Sequence, residues 1–463
     1  MNKYAIILAA GKGSRMKSLK EDISKVSFPI LGKPLVKYVI DVLKPLNFEH
    51  LISVIGFGGE TSKPIVEKDC EVVWQREQKG AGHAVLMAAP ILEGKEGLTI
   101  ICCGDTPLLT TETIENLFKE HAASHNDLTI MTMVLDNPFG YGRIVKEKGK
   151  VVAICEQRDT TDKEKDIKEV NAGVYIFDNK NLFECLHLLK TDNAAGEYYL
   201  TDVIGLFVKR GLKVGDYIVQ DIDETLGVND RYQLSVAAKI LQHRINKKHM
   251  VSGVSIEDPE NTYINPDVKI GQDTFIYAGC HILNGCEIGQ NNVIGPDTYL
   301  ENTKVGNGNK IISSHIVDCV IEDDCVLGPY LRMRNNCHIE SGAHISNFNE
   351  LKNTKVGKNF KCHHLSYLGD SNVGVNVNIG CGTITANYDG VNKWPTNIGN
   401  DVFIGCNSVL IAPVTLEDGT FVAAGSVVTK NTSKDDLVVA RAEQKNLKGY
   451  APKIKEKARS RKK

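Results

Sequence analysis

The hydrophobic positions of this chain follow two rhythms. Up to about residue 228, short apolar runs rich in β-branched residues alternate with segments whose apolar residues recur three and four apart. Residues 4–10, 51–55, 71–74, 99–103 and 128–134 are predicted strands, and 36–43 and 84–92 are predicted helices. Alternation of this kind predicts an α/β domain with a mostly parallel sheet covered on both faces, its ligands lying at the carboxyl ends of the strands. Residues 230–249 read as one long helix. Leu234, Ala237, Ala238, Leu241 and Ile245 form a single stripe, and Asp230 with Gln233 resembles a capping box.

From about residue 251 the period becomes six. Ile270, Ile276, Ile282, Ile288, Ile294 and Leu300 share one register. Ile321, Leu327, Met333, Ile339, Ile345 and Leu351 share a second, and Ile398, Ile404, Leu410, Leu416, Val422 and Val428 a third. A six-residue repeat is the mark of a parallel β-helix, in which three hexapeptides make one triangular coil and the aliphatic residue points into a core shared with the neighbouring coils. The predicted organisation is therefore a domain over 1–228, a linker helix over 229–249, and a β-helix with a C-terminal tail over 250–463. Between Ile379 and Ile398 the step is 19 residues instead of 18, and the repeat fades over 385–395. That segment is predicted to leave the helix as a loop, and insertions in solenoids gather on binding faces.

Composition narrows the class. With 42% hydrophobic residues and a net charge of −2 over 463 residues the chain is globular, and no apolar stretch is long enough to span a membrane. The first apolar run stops at Gly11-Lys12-Gly13, short of a signal-peptide core. Thirteen cysteines, an odd number without a CxxC pair, point to a reducing cytoplasm. Cys280/Cys286 and Cys319/Cys325 are six apart, which is the coil repeat and not zinc spacing, so they read as small buried hydrophobes. Charge is concentrated at the end: residues 451–463 carry seven cations against Glu456 alone. A solvated terminus is the simple reading of that tail, and contact with a polyanion is the alternative.

Candidate chemistry begins with Leu8-Ala9-Ala10-Gly11-Lys12-Gly13-Ser14-Arg15-Met16, followed by Lys25. A glycine-rich turn after a first strand lets backbone amides approach phosphate, and Arg15 and Lys25 bring opposing charge. The turn matches neither GxxxxGK[ST] nor GxGxxG, so neither a P-loop nor a dinucleotide oxidoreductase is expected. Gly104-Asp105 follows the strand at 99–103. An acid there is either a turn residue or a hard-oxygen ligand suited to Mg²⁺. In the repeat half, Arg332-Met333-Arg334, Lys352, His363-His364 and Tyr367 are polar residues on an otherwise repetitive scaffold. Histidine suits general-base work because its pKa lies near working pH.

Read together, the LAAGxGxRM opening, Lys25, Gly104-Asp105 and the hexapeptide half resemble one family over residues 1–450. These are the bifunctional bacterial sugar-nucleotide enzymes in which N-acetylglucosamine-1-phosphate uridyltransferase is fused to glucosamine-1-phosphate N-acetyltransferase. The resemblance implies a Rossmann-like nucleotidyltransferase domain joined by the helix to a left-handed parallel β-helix. It also implies a cytoplasmic homotrimer acting on UTP, glucosamine 1-phosphate, N-acetylglucosamine 1-phosphate and acetyl-CoA, with Mg²⁺, and without nucleic-acid or membrane partners. By the same resemblance Leu8, Ala9, Ala10 and Gly11 contact the nucleotide and Arg15 and Lys25 its phosphates. Gln75, Gly80 and Ala81 read uracil, with Cys103 and Gly104 beside them. Gly142, Glu156 and Asn171 hold the N-acetylglucosamine moiety, and Asp105 with Asn229 binds the metal. In the second half it selects His364 as base, Arg334, Lys352, Tyr367 and Asn378 for sugar phosphate, and Cys381, Asn387, Tyr388, Cys406, Ala424 and Arg441 for acetyl-CoA.

The chain departs from the family pattern at several of these positions. Ser24 stands for Pro, Ala81 for Thr, Cys103 for Tyr, Cys381 for Ala and Cys406 for Ser, and His363 for a small residue. Two readings stay open on the sequence: His363 as the base in place of His364, and a single-function nucleotidyltransferase whose β-helix is not catalytic.

Overall fold

The computed structural model describes residues 2–19 and 22–461. The chain forms two compact units, Met1–Arg244 and Ile245–Lys463. In the first unit the strands of the main sheet are β1 (Lys3–Ala9), β2 (His50–Ile55), β3 (Glu71–Trp74), β4 (Leu98–Cys103), β5 (Leu128–Val134), β6 (Arg143–Glu147), β7 (Lys150–Cys155), β8 (Glu169–Asp178) and β9 (Val214–Ile218). They lie in the order β9-β5-β8-β4-β1-β2-β3, with the β6–β7 hairpin attached to β8. The central strands are buried on both faces. Tyr4 and Ile6 of β1 pack into one core, and Ala5 and Ile7 pack into the other. That double burial is why β1 reads as an unbroken apolar run.

Two features differ from the sequence expectation. The sheet is mixed, because β8 runs antiparallel to β4 and β5 while β1 is parallel to β2 and β4. Helix 84–92 is two helices, Ala81–Leu86 and Ala89–Leu92. Pro90 explains the break: it has no N–H to donate, and its ring would clash with the Leu86 carbonyl in a continuous helix.

The helix Arg231–Val251 contains the boundary between the units. At its start the Gln233 N–H donates to Asp230 Oδ1 at 2.8 Å. The Gln233 side chain reaches back to the N–H of Asn229, also at 2.8 Å, one residue earlier than in a regular capping box. The expected cap thus also pins Asn229.

The second unit is a left-handed parallel β-helix whose three faces hold eleven, ten and nine short strands among the described residues. The inward column of the first face runs Ile276, Ile294, Ile311, Leu327, Ile345, Cys362, Ile379, Ile404 and Val422, all buried and each the partner of the next. The registers read from the sequence are therefore one continuous solenoid. Their phase slips because several corners use five residues instead of six, as between Leu300 and Val305 or Leu351 and Val356. The loop correction is larger: Ile379 pairs with Ile404 and Val373 with Ile398, each 25 residues on. The insertion lies between the strands Ile384–Ala386 and Thr396–Ile398 and closes on itself through a Tyr388–Lys393 bridge.

One corner is a column of left-handed residues that includes Asp324, Asn359, Asn376, Asp401 and Asp435, with side chains passing hydrogen bonds from Asn359 to Asn376 to Asp401 at 3.0 Å each. Asn and Asp tolerate this conformation because their short side chains bond locally. Cys280, Cys286 and Cys325 are buried, and burial pushes their thiols up to about 11. The C-terminal helix Tyr450–Ser460 is exposed throughout. Of the basic tail, Lys462 and Lys463 lie outside the described residues. No helix among the described residues is long and apolar enough to cross a membrane.

Phe360 is fully buried, with the buried Ala343 and Val377 at the equivalent positions of the adjacent coils. Phe360→Ala is expected to cost about 3–5 kcal/mol. In urea unfolding, the transition of the second unit should move to lower denaturant while that of the first stays in place. A shift worth less than about 1 kcal/mol would mean that the coils close over the gap.

Candidate active sites

In the first unit β1 and β4 end side by side, tied by a 2.9 Å hydrogen bond from the Gly104 N–H to the Leu8 carbonyl. Their carboxyl ends open on a cleft of about 360 Å³ lined by Leu8, Ala9, Ala10, Gly11, Lys25, Gln75, Gly80, Ala81, Cys103 and Asp105. Lys12, Gln78 and Glu197 line it as well, although the sequence reading gave them no role. Arg15 stands in the single turn Ser14–Met16 and Lys25 in the turn Lys25–Ser27.

Asn229 reaches this cleft because the Val228 N–H donates to the Asp105 carbonyl at 2.8 Å. The Lys25 ammonium pairs with Asp105 Oδ2 and also donates to Asn229 Oδ1 at 3.1 Å. Arg15 Nη2 donates to the same Asn229 oxygen at 2.9 Å. Asp105 and Asn229 therefore aim two hard oxygens at one cationic point, a donor set that fits a small divalent ion.

The far side of the cleft is a loop held by close backbone approach. Gly80 has φ +107, and a Cβ there would lie 2.6 Å from the Tyr198 carbonyl oxygen. The Tyr198 N–H donates to Lys79 and its carbonyl accepts from Gly82, both at 2.8 Å. A second cleft of about 220 Å³ shares Leu8, Ala81, Cys103 and Glu197 with the first and adds Glu156, Tyr175 and Thr201. Gly142 and Asn171 belong to the same cluster. The Asn171 N–H donates to the Gly142 carbonyl at 2.9 Å, and a Cβ on Gly142 would lie 3.6 Å from both Glu156 carboxylate oxygens. Asn171 is oriented by its own contacts, donating to Tyr175 Oη at 2.6 Å and accepting from the Gly173 N–H at 3.0 Å. Burial pushes the Cys103 thiol up to about 12, aided by the Asp105 charge, so it stays protonated.

In the β-helix the candidates fall into two groups. Arg334 and Lys352 are register partners on the second face, and Tyr367 follows one coil on from Glu350. Arg334 donates to Glu350 through Nε and Nη2, at 3.1 and 2.8 Å. The buried Lys352 lies 3.6 Å from Asp370, whose carboxylate also accepts from Asn353 at 2.7 Å and from Asn387 of the loop. Burial raises the pKa of Asp370, but these bonds and the Lys352 charge hold it below the usual carboxylate range. Gly369 leaves room for this meeting, since a Cβ there would lie 2.8 Å from Asn387 Nδ2.

The second group follows the corner between the first and second faces. His364, Cys381, Cys406 and Ala424 occupy equivalent places in successive coils, the Asn407 N–H donating to Cys381 at 2.7 Å and the Gly425 N–H to Cys406 at 2.8 Å. Arg441 Nη1 donates to the Ala424 carbonyl. His364 and Cys406 are exposed and Cys381 is half-buried. Asn378 sits on the first face, a different face from Arg334 and Lys352. Tyr388 is on the exposed loop, its hydroxyl donating to Gly390. His363 is half-buried with its ring edge on His344 at 4.5 Å. Burial and then the neighbouring His344, His364 and Lys361 lower its pKa.

Thr201, Tyr175, Asp370 and Glu350, which orient these side chains, were not singled out by the sequence. Asp370 carried one usable signal, its place 17 residues after Asn353, one coil on.

Glu156 yields a pH prediction. Burial raises its pKa, and the Asp159 and Asp202 charges add to that, against one lowering hydrogen bond from Thr201 at 2.9 Å. A carboxyl whose folded pKa lies above its unfolded value binds protons preferentially in the folded state, so stability falls as pH rises through that interval. Glu156→Gln keeps the acceptor for Thr201 and removes the charge. It is expected to be more stable than wild type at pH 7, with the difference vanishing as pH drops below the ordinary glutamate value. Urea midpoints at several pH values measure this, and parallel pH profiles for the two proteins would refute it.

The comparisons with known proteins match this geometry. Residues 5–147 match the MobA-like NTP transferase domain, and residues 267–302 and 395–430 match the bacterial transferase hexapeptide, six repeats. The chain is 47% identical over 455 residues to the bifunctional protein GlmU of Geobacillus sp. (strain WCH70), covering 98% of each chain. It is 45% identical over 453 residues to that of Halalkalibacterium halodurans, covering 98% of this chain and 99% of the relative. To that of Streptococcus agalactiae serotype V it is 44% identical over 454 residues, covering 98% of each. With a cluster of candidate residues in each unit and this likeness across nearly its whole length, the chain belongs to the GlmU family of bifunctional transferases.

Proposed function

We propose that the chain catalyses two successive transfers. The β-helix, assigned to 250–463, moves acetyl from acetyl-CoA to glucosamine 1-phosphate. The domain over 1–228, joined to it by the helix over 229–249, then moves uridylyl from UTP to the resulting N-acetylglucosamine 1-phosphate. The products are UDP-N-acetylglucosamine and pyrophosphate, for cell-envelope precursor synthesis in the cytoplasm. The observation that carries the reading is the convergence of Arg15, Lys25, Asp105 and Asn229 at the carboxyl ends of β1 and β4.

In the uridylyl step a phosphate oxygen of the sugar phosphate attacks the α-phosphorus of UTP, and the bond to the pyrophosphate oxygen breaks. Asp105 and Asn229 would hold Mg²⁺, which when bound neutralises charge on the phosphate oxygens. Lys25 and Arg15 hold the phosphates of the nucleotide. Gln75, Gly80 and Ala81 seat the base, and Gly142, Glu156 and Asn171 the sugar. Catalysis here is positioning plus charge stabilisation, without a covalent enzyme intermediate.

In the acetyl step the sugar amine attacks the thioester carbonyl, the carbon–sulfur bond breaks, and CoA leaves as the thiol. His364 takes the amine proton as the carbon–nitrogen bond forms and returns it to the departing CoA sulfur. Its exposure at the corner, against the packed ring of His363, supports this choice. Arg334, Lys352, Tyr367 and Asn378 hold the sugar phosphate, and Cys381, Asn387, Tyr388, Cys406, Ala424 and Arg441 hold acetyl-CoA.

The unit works as a homotrimer in this reading. Two observations support it: Asn378 lies on a different face from Arg334 and Lys352, and an exposed apolar ridge of Tyr330, Phe348 and Leu365 runs along one corner. All three ridge residues have positive φ, which is costly for bulky side chains unless contacts stabilise it.

The pathway is tested by supplying glucosamine 1-phosphate, acetyl-CoA, UTP and Mg²⁺ and detecting UDP-N-acetylglucosamine by mass. Asp105→Asn is expected to cut uridylyl transfer by roughly 10²–10³-fold while sparing acetyl transfer. Unchanged Mg²⁺ dependence in that variant would place the metal elsewhere. His364→Ala should lower acetyl transfer by about 10²–10⁴-fold, and His363→Ala far less. The reverse order would make His363 the base.

A further inference from the structure

The Gln75 carboxamide lines the nucleotide cleft and is 3% exposed. Its Nε2 lies 3.0 Å from the Gly80 carbonyl oxygen and 3.1 Å from His83 Nδ1. A carbonyl oxygen only accepts, so the contact with Gly80 identifies the nitrogen end of the amide. That nitrogen has two hydrogens. Gly80 takes one, and the other points at His83 Nδ1, which can accept only if it is unprotonated. In this arrangement Nδ1 is the acceptor and the ring proton sits on Nε2.

With both N–H groups committed, the carboxamide can offer the cleft only its oxygen, to which no donor from the described residues is directed. His83 does not line the cleft and acts only through Gln75. The ring is itself held. It is half-buried in the helix Ala81–Leu86 and stacks on Tyr198 with centroids 6.4 Å apart, beside the backbone bonds that fasten residues 79–82.

We propose that His83 is a specificity-determining positioning residue: its unprotonated Nδ1 fixes the Gln75 amide with the oxygen toward the base, and so selects uracil over cytosine. The proposal rests on the uridylyl-transfer reading. Uracil presents a ring N–H where cytosine presents a lone pair. An acceptor fixed at that point bonds the first and repels the second. A Gln75 amide free to rotate would present N–H as readily and serve cytosine equally.

The test compares kcat/KM for UTP and CTP in the full-length chain. His83→Ala should reduce the preference for UTP by about tenfold or more, mainly through improved use of CTP. His83→Asn, whose side-chain oxygen can replace Nδ1 as acceptor, should restore most of it. Discrimination unchanged in His83→Ala, or no recovery in His83→Asn, would overturn the proposal. Nitrogen-15 NMR of the wild-type histidine rings tests it without relying on a variant that folds. An unprotonated Nδ1 on His83 with UDP bound is the expected result, and a protonated one refutes the lock. Loss of transfer from both nucleotides in the wild-type chain, with acetyl transfer intact, would instead overturn the uridylyl reading and this proposal with it.

Discussion

A strand of two or three residues cannot hold its own shape, and every described strand of the second unit is that short. What holds each is the coil before it and the coil after it, through parallel backbone hydrogen bonds and an inward aliphatic side chain stacked on its equivalents. This requirement of in-register stacking determines much else. A residue placed outward at one corner has its counterparts directly above and below, so a binding surface can be assembled by choosing side chains one coil apart. Arg334 and Lys352 are related in this way, as are His364, Cys381, Cys406 and Ala424. The repeat supplies both the scaffold and the spacing of its functional groups.

The first unit meets a different constraint. Parallel strands send their connecting loops to one edge of the sheet, and that edge collects the charged residues of distant segments. Lys25, Asp105 and Asn229 are far apart in the chain, yet the Gly104 N–H bonded to the Leu8 carbonyl and the Val228 N–H bonded to the Asp105 carbonyl set the last two at the end of β1, where the Lys25 ammonium meets both. Two cations face one carboxylate there, which leaves net positive charge in a cleft with low-dielectric walls. Such an arrangement attracts phosphate before any specific contact is made.

The residue pattern carried the β-helix because its periodicity is a direct record of inward and outward positions. It carried the central strands for the same reason: 71–74 and 128–134 coincide with β3 and β5. The strands that escaped, β6 to β9, are shorter or mix polar with apolar residues, as in the alternation of Glu169-Val170-Asn171-Ala172. The break at Pro90 was readable from the proline but masked by the apolar spacing around it. In the candidate sites, the residues proposed to meet ligand were recognisable through resemblance, while those that orient them were not. Thr201, Tyr175 and Asp370 act through tertiary contacts that leave no mark in linear spacing. His83 lies two residues beyond Ala81, and its relation to Gln75 depends on which nitrogen carries a proton.

The inserted loop between Ala386 and Thr396 has a wider meaning. Seven extra residues leave the solenoid and return without displacing any partner: Ile379 still meets Ile404, and Val373 still meets Ile398. Five-residue corners shorten the path elsewhere with the same lack of effect on alignment. Contour length and spatial phase are thus decoupled in this half of the chain. Segments can lengthen or contract at the corners while the lattice of inward positions stays commensurate, so new surface chemistry can be grafted at an edge without retuning the interior.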